Sequence, residues 1–242
     1  MFIGHFGVAL AAKKVAPRTS LGTLVMAAQF VDLLWPIFLL LGLERVLIAP
    51  GTTAVTPLDF LSYPLSHSLL ADLGWASLFA GIYKLVKRDS RGAVCLWFVV
   101  ISHWLLDALS HRPDLPLYPG SSTYVGLGLW NSRGWTFLVE SAVFAWGAIL
   151  YRRTTRPRDR IGVYAFRSFI ALLFLIYLIN IFGPPPPSEK ALAYAALGMW
   201  LFVVWAYWVD RHRMVGSPPP RADLITLGPL SEQPPSSSGD PV

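Results

Sequence analysis

The chain predicts an all-α polytopic membrane bundle of about six transmembrane helices, preceded by a short N-terminal half-helix. The first observation is composition: 54% of the 242 residues are hydrophobic and only 14% charged, with ten Trp, which is far too apolar for an ordinary soluble domain. The second is six apolar runs long enough to cross a bilayer, at about 21–42, 65–84, 92–109, 134–151, 166–182 and 191–209. The third is the placement of Lys and Arg in the connections. Sixteen fall on one side of the membrane, and Arg45, Arg112, Arg133 and Lys190 fall on the other. The positive-inside rule then sets both termini in the cytoplasm of a bacterial inner membrane. The net charge of +6 follows from this asymmetry, so it points to topology and not to a nucleic-acid partner.

Residues 2–12 (FIGHFGVALAA) are apolar but span only about half of the hydrocarbon thickness at about 1.5 Å per residue. Two placements are open. The segment either dips its start into the bundle, carrying His5 towards mid-membrane, or lies on the inner surface as an amphipathic helix. No basic region precedes it, so no removed signal peptide is expected. Cys95, the single cysteine, lies within an apolar run, which excludes disulfides and a thiolate metal site.

The first span carries Asp32 near its centre and Pro36 one turn later, where a kink is expected. An unpaired carboxylate at that depth costs several kcal/mol, on the order of 3. The loop 43–64 leads through Tyr63-Pro64 into LSHSLL, which puts His67 in the first turn of the second span. Asp72, five residues on, then points about 140° away on a helix and is not expected in the same site. The third span runs outwards and ends in SHWLLDALSHRPDLPLYPG, in which His103, Asp107 and His111 share one face if the helix continues. Depth puts His103 about 9 Å and Asp107 about 3 Å below the outer boundary, with Glu140 of the fourth span about 9 Å down. The fifth and sixth spans, with Asn180 as their main polar group, read as scaffold. Residues 1–214 form the membrane domain, and 215–242, rich in Pro and Ser, form a disordered tail.

Imidazole and carboxylate on adjacent turns are donors suited to a divalent metal, although a bond between helices uses the same residues. The segments GHFG at 4–7, VDLLWP at 31–36, LSHSLL at 65–70 and SHWLLDALSHRPDLPLYP at 102–119 sharpen this choice. In order and content they resemble the successive motifs of the YdjM-like membrane-bound metal-dependent hydrolases, a family distantly similar to zinc-dependent phospholipases C. The resemblance covers about the first half of the chain, and implies that His5, Asp32, His67, His103 and Asp107 are metal ligands. Two departures stand out: the family's second acid in the first motif falls on Leu34, and its His-Arg-Gly is replaced by Ser62, Tyr63 and Pro64.

These readings converge on a hydrolase holding a divalent metal, zinc by its donor set, with His111 as a further candidate ligand. Asp32 and Glu140 are the expected catalytic acids and bases. Arg112, Asn131 and Arg133 are expected to bind an anionic head group at the outer rim. The expected substrate is an ester or phosphoester of a lipid or lipid-linked molecule. Two alternatives use the same residues: a proton- or cation-coupled transporter, and a non-catalytic membrane scaffold.

Overall fold

The structure, a computed structural model, describes residues 1–216. It is a helical bundle in which five helices are long and apolar enough to cross a membrane, or six if one bent pair is a single span. The bent pair is the expected first span. It divides into α2 (Leu21–Ala28) and α3 (Phe30–Leu40), which meet at Gln29 with a bend of 54°. The sequence predicts a kink near Pro36; the break instead falls upstream, at Gln29, and Pro36 sits inside α3. Gln29 leaves helical geometry (φ −106°, ψ 10°), and its position frees the Ala28 carbonyl to bond a side chain from another helix.

Helix α1 (Ile3–Val15) is buried on nearly every side, so it occupies the bundle and does not lie on its surface. It packs closely on α6 (Arg133–Thr154), and the reason is a pair of glycines: a Cβ on Gly147 would stand 2.0 Å from the Gly7 carbonyl oxygen. At its far end the buried Lys13 ammonium donates to the Thr19 carbonyl and pairs with Asp210 at 2.9 Å. Around α1 stand α2, α5 (Ser90–Ser110) and α7 (Arg160–Phe182), with α9 (Met199–Arg211) packed on α2 and α7. Helix α4 (Leu69–Lys87) turns sharply into α5: Arg88 adopts the left-handed conformation (φ 53°) and Asp89 caps α5 by accepting from the Gly92 amide. Leu78, Phe98, Trp146, Leu175 and Leu201 remain exposed along the outside of the bundle, as side chains facing lipid do.

Short strands finish the two ends. Opposite the Lys13 end, β1 (Arg45–Ile48) and β2 (Leu58–Ser62) form an antiparallel hairpin within the 43–64 loop. Nearby, β3 (Leu115–Pro116) pairs with β4 (Tyr124–Val125). At the Lys13 end, β5 (Thr155–Pro157) pairs with β6 (Arg213–Val215). Strand β6 thus takes up the first residue of the expected tail; residues 217–242 lie outside the described part. The last span is α8 (Glu189–Leu197) continued by α9 across a break at Gly198, together one apolar stretch of membrane length.

Candidate metal centre

Each donor of the centre arrives by a different local route. His103 and Asp107 share the buried face of α5, one turn apart, with His103 Nε2 3.1 Å from Asp107 Oδ2. Asp32 lies in the first turn of α3, so the break at Gln29 aims it inwards. His5 comes from the buried α1 and stacks on the His103 ring at 3.7 Å with the planes 5° apart.

His67 differs from its expected placement. Ser68 is the N-cap of α4, accepting from the Ala71 amide, so His67 precedes the helix and belongs to a turn closed by its own amide on the Tyr63 carbonyl. Its direction is therefore set by this turn and not by helical phase, yet Asp72 still lies outside the donors close enough to share an ion with His67, as expected. Asp72 is fully buried in the first turn of α4, within electrostatic reach of His103 and His67, and neither of its oxygens has a hydrogen-bond partner.

The donors form two overlapping groups able to hold a metal ion, His5 with His103 and Asp107, and Asp32 with His67 and His103. His67 Nε2 lies 3.3 Å from Asp32 Oδ1 and 3.7 Å from Asp107 Oδ2. His103 Nε2 lies 3.6 Å and 3.1 Å from the same two oxygens. The edges of a tetrahedron around an ion with bonds of about 2.0–2.1 Å measure about 3.3–3.4 Å, and these four His–carboxylate separations lie near that length, while the donors close enough to share one ion form the two triads. The tautomers agree. His103 Nδ1 donates to the Ala28 carbonyl at 2.8 Å, which turns the buried Nε2, without a hydrogen-bond partner among the described residues, towards Asp32 and Asp107. On the far side of Asp107, Oδ1 meets His5 Nε2 at 3.2 Å and the Met1 amino group, which also donates to the Ser110 hydroxyl.

A cavity of about 90 Å³ adjoins these donors, lined by Asp32, His67, Asp107 and His111 and walled by Trp35, Leu58, Phe60 and Trp130. His111 reaches it from an unexpected direction. Helix α5 ends at Ser110 and His111 is its extended C-cap (φ −66°, ψ 151°), so it leaves the His103–Asp107 face. Its ring packs on Trp130 at 4.3 Å, its Nδ1 is 3.0 Å from Asp114 Oδ1, and it belongs to neither donor group. Burial holds the His111 pKa below its ordinary value. Tyr63, which donates to the same Asp114 oxygen, has its hydroxyl pKa pushed far up by burial and by that carboxylate.

Several expected site residues are employed elsewhere. Glu140 is buried but accepts from the backbone amides of Phe2 (2.8 Å) and Gly4 (3.4 Å), satisfying amide groups that the start of α1 leaves open. Arg112 pairs with Asp59 of β2 and, at 3.2 Å, with Asp114. Arg133 donates to the Ala54 carbonyl, and Asn131 ends a 3₁₀ turn over Leu129–Asn131. None of these three lines the cavity.

Sequence reasoning passed over Glu44, Ser66 and the aromatic walls. Ser66 precedes His67 in the motif and so carried a local signal; Glu44 carried none. No family model matches the chain, and neither the curated proteins nor the solved structures contain a match to it.

Proposed function

We propose that this protein is a membrane-bound metal-dependent hydrolase that acts on an ester or phosphoester of a lipid or lipid-linked substrate. The observation that carries the reading is the pair of donor triads, His5–His103–Asp107 and Asp32–His67–His103, that share a buried His103 Nε2 with no hydrogen-bond partner among the described residues. The resemblance of its motifs to the YdjM-like hydrolases agrees with that donor set. Two neutral imidazoles and two carboxylates suit zinc in charge and in preferred geometry. The positive-inside pattern sets the centre near the outer face of a bacterial inner membrane, within reach of a lipid head group.

A zinc ion held among these donors would supply a Lewis acid for the ester or phosphoester oxygen and would lower the pKa of a water molecule towards neutrality. The protein's own groups do the rest. His103, anchored by the Ala28 carbonyl, and His67 fix two donor directions. Asp32 retains 22% exposure of its side chain and faces the cavity, so where it leaves the fourth position to water its carboxylate would accept that water's proton. Trp35 Nε1, a buried donor with no partner among the described residues, lines the same cavity and is available to a substrate oxygen. The aromatic walls exclude bulk water and receive the apolar part of the substrate.

The test is metal analysis of the purified protein. Wild type is expected to carry stoichiometric zinc, and His103→Ala and Asp107→Ala are each expected to lose it while remaining folded. A wild type without bound metal after purification and zinc loading would end this reading.

A further inference from the structure

Glu44 lies between α3 and β1, is 2% exposed, and accepts three hydrogen bonds: from the amides of Leu65 and Ser66, both at 2.8 Å to Oε1, and from the Ser66 hydroxyl at 2.7 Å to Oε2. Among the described residues no Lys, Arg or His pairs with it. A buried carboxylate without a cation is costly and survives where hydrogen bonds hold it. Its neighbour explains the arrangement. The Ser66 oxygen is also 2.6 Å from His67 Nδ1. Because a carboxylate only accepts, the Ser66 proton is committed to Glu44, and the Ser66 oxygen must accept from His67 Nδ1–H.

We infer that Glu44 is a positioning residue of the centre, acting through the Ser66 hydroxyl to hold His67 as the Nδ1–H tautomer. The Nδ1 proton fixes the ring with Nε2 facing Asp32 and Asp107, the side on which a metal would replace any proton that Nε2 carries in the metal-free chain. The role rests on the metal reading only for its purpose; the tautomer itself is a property of the metal-free chain. Histidine ligands are commonly oriented by a carboxylate bonded directly to the distal nitrogen. Here a serine is interposed, because His67 sits in the turn before α4 and Glu44 approaches from the end of α3, 22 residues earlier than Ser66.

Glu44→Gln is isosteric and reverses the polarity of the chain. The amide donates to the Ser66 oxygen, the Ser66 hydroxyl then donates to His67 Nδ1, and the imidazole proton moves to Nε2, where it blocks the centre. Ser66→Ala cuts the link while leaving Glu44 its two backbone amides, so a role confined to bracing the 65–66 turn would survive it. Ser66→Thr keeps the hydroxyl.

The experiment uses the full chain in detergent, with two readouts. The first is the ¹⁵N spectrum of histidine-labelled, metal-free protein, with His67 assigned by the signals lost in His67→Asn. Wild type and Ser66→Thr are expected as Nδ1–H, Glu44→Gln as Nε2–H, and Ser66→Ala as a mixture. The second is zinc affinity by chelator competition, expected to fall about 10- to 100-fold in Glu44→Gln and Ser66→Ala and to stay near wild type in Ser66→Thr. A wild-type His67 without a proton on Nδ1, or wild-type zinc affinity in both Glu44→Gln and Ser66→Ala, overturns the assignment. If wild type binds no zinc, the metal reading fails alone, and the tautomer of His67 in wild type and Glu44→Gln still decides the role of Glu44.

Discussion

A histidine or carboxylate within a membrane bundle takes its role from the partner of its second atom. His103 has Nδ1 on a carbonyl and Nε2 without a partner, so it is a donor to the centre. Glu140 is as deeply buried, yet both of its hydrogen bonds come from the first amides of α1. Glu140→Gln is therefore expected to retain bound zinc while lowering the melting temperature, at a cost of about 1–3 kcal/mol for weakening bonds to a charged acceptor. Loss of metal with unchanged stability would return Glu140 to the site. The His103–Asp107 pair was legible in the sequence because i, i+4 spacing on a helix determines adjacency. His111 was misread for the same reason: its alignment required helix beyond Ser110, and Pro113 two residues on favours an extended chain there instead.

Helix α1 acts as the central post of the bundle. Gly7 and Gly147 let its backbone meet that of α6, and this approach sets the depth at which His5 reaches Asp107. Gly147→Val would drive side-chain carbon into the Gly7 carbonyl, whose backbone cannot yield as a flexible side chain would. A loss of at least about 1–3 kcal/mol is expected, read as a lower melting temperature, together with weakened zinc binding. At the opposite end, the β5–β6 clip ties α6 and α7 to the end of α9. Arg213 donates to the Thr155 hydroxyl and carbonyl and to the Gly162 carbonyl, and lies over the Phe166 ring at 4.9 Å. Beside it, the hydrogen bond from His212 and the Gly162 amide hold Asp159 below its ordinary pKa of 3.8. Since the folded value is depressed, this contribution is present above 3.8 and is lost as pH falls through the folded value. Melting temperatures followed from pH 5 to pH 3 are expected to fall less steeply for Asp159→Asn than for wild type, with the wild-type slope unchanged if the pairing contributes nothing.

For the whole molecule, the basic residues and the donors lie at opposite regions of the bundle. Lys13, Arg213 and the α4–α5 corner mark one end, while the β1–β2 hairpin and the 126–132 loop lie at the other, above the centre. Under the positive-inside rule the first end is the one expected in the cytoplasm. Reporter fusions after residue 88 and after residue 158 are expected to report a cytoplasmic location, and insertions at residue 51 and residue 185 an external one. The reverse pattern would move the proposed centre to the inner leaflet and exclude an outer lipid substrate.

Hydrophobic run length and composition were enough to establish a helical membrane bundle, because every backbone amide in lipid must be satisfied within the spanning segment. The spacing of His103 and Asp107, and the order of motifs bearing His5, Asp32 and His67, were equally open to reading along the chain. What was hidden is long-range or depends on where a helix ends. The break at Gln29 that frees the Ala28 carbonyl and the capping of α1 by Glu140 both pair groups from separate elements. So does the reach of Glu44 through Ser66 to His67. Such pairings depend on how helices pack around α1, and close packing is a property of all the side chains at an interface together, which local periodicity does not encode.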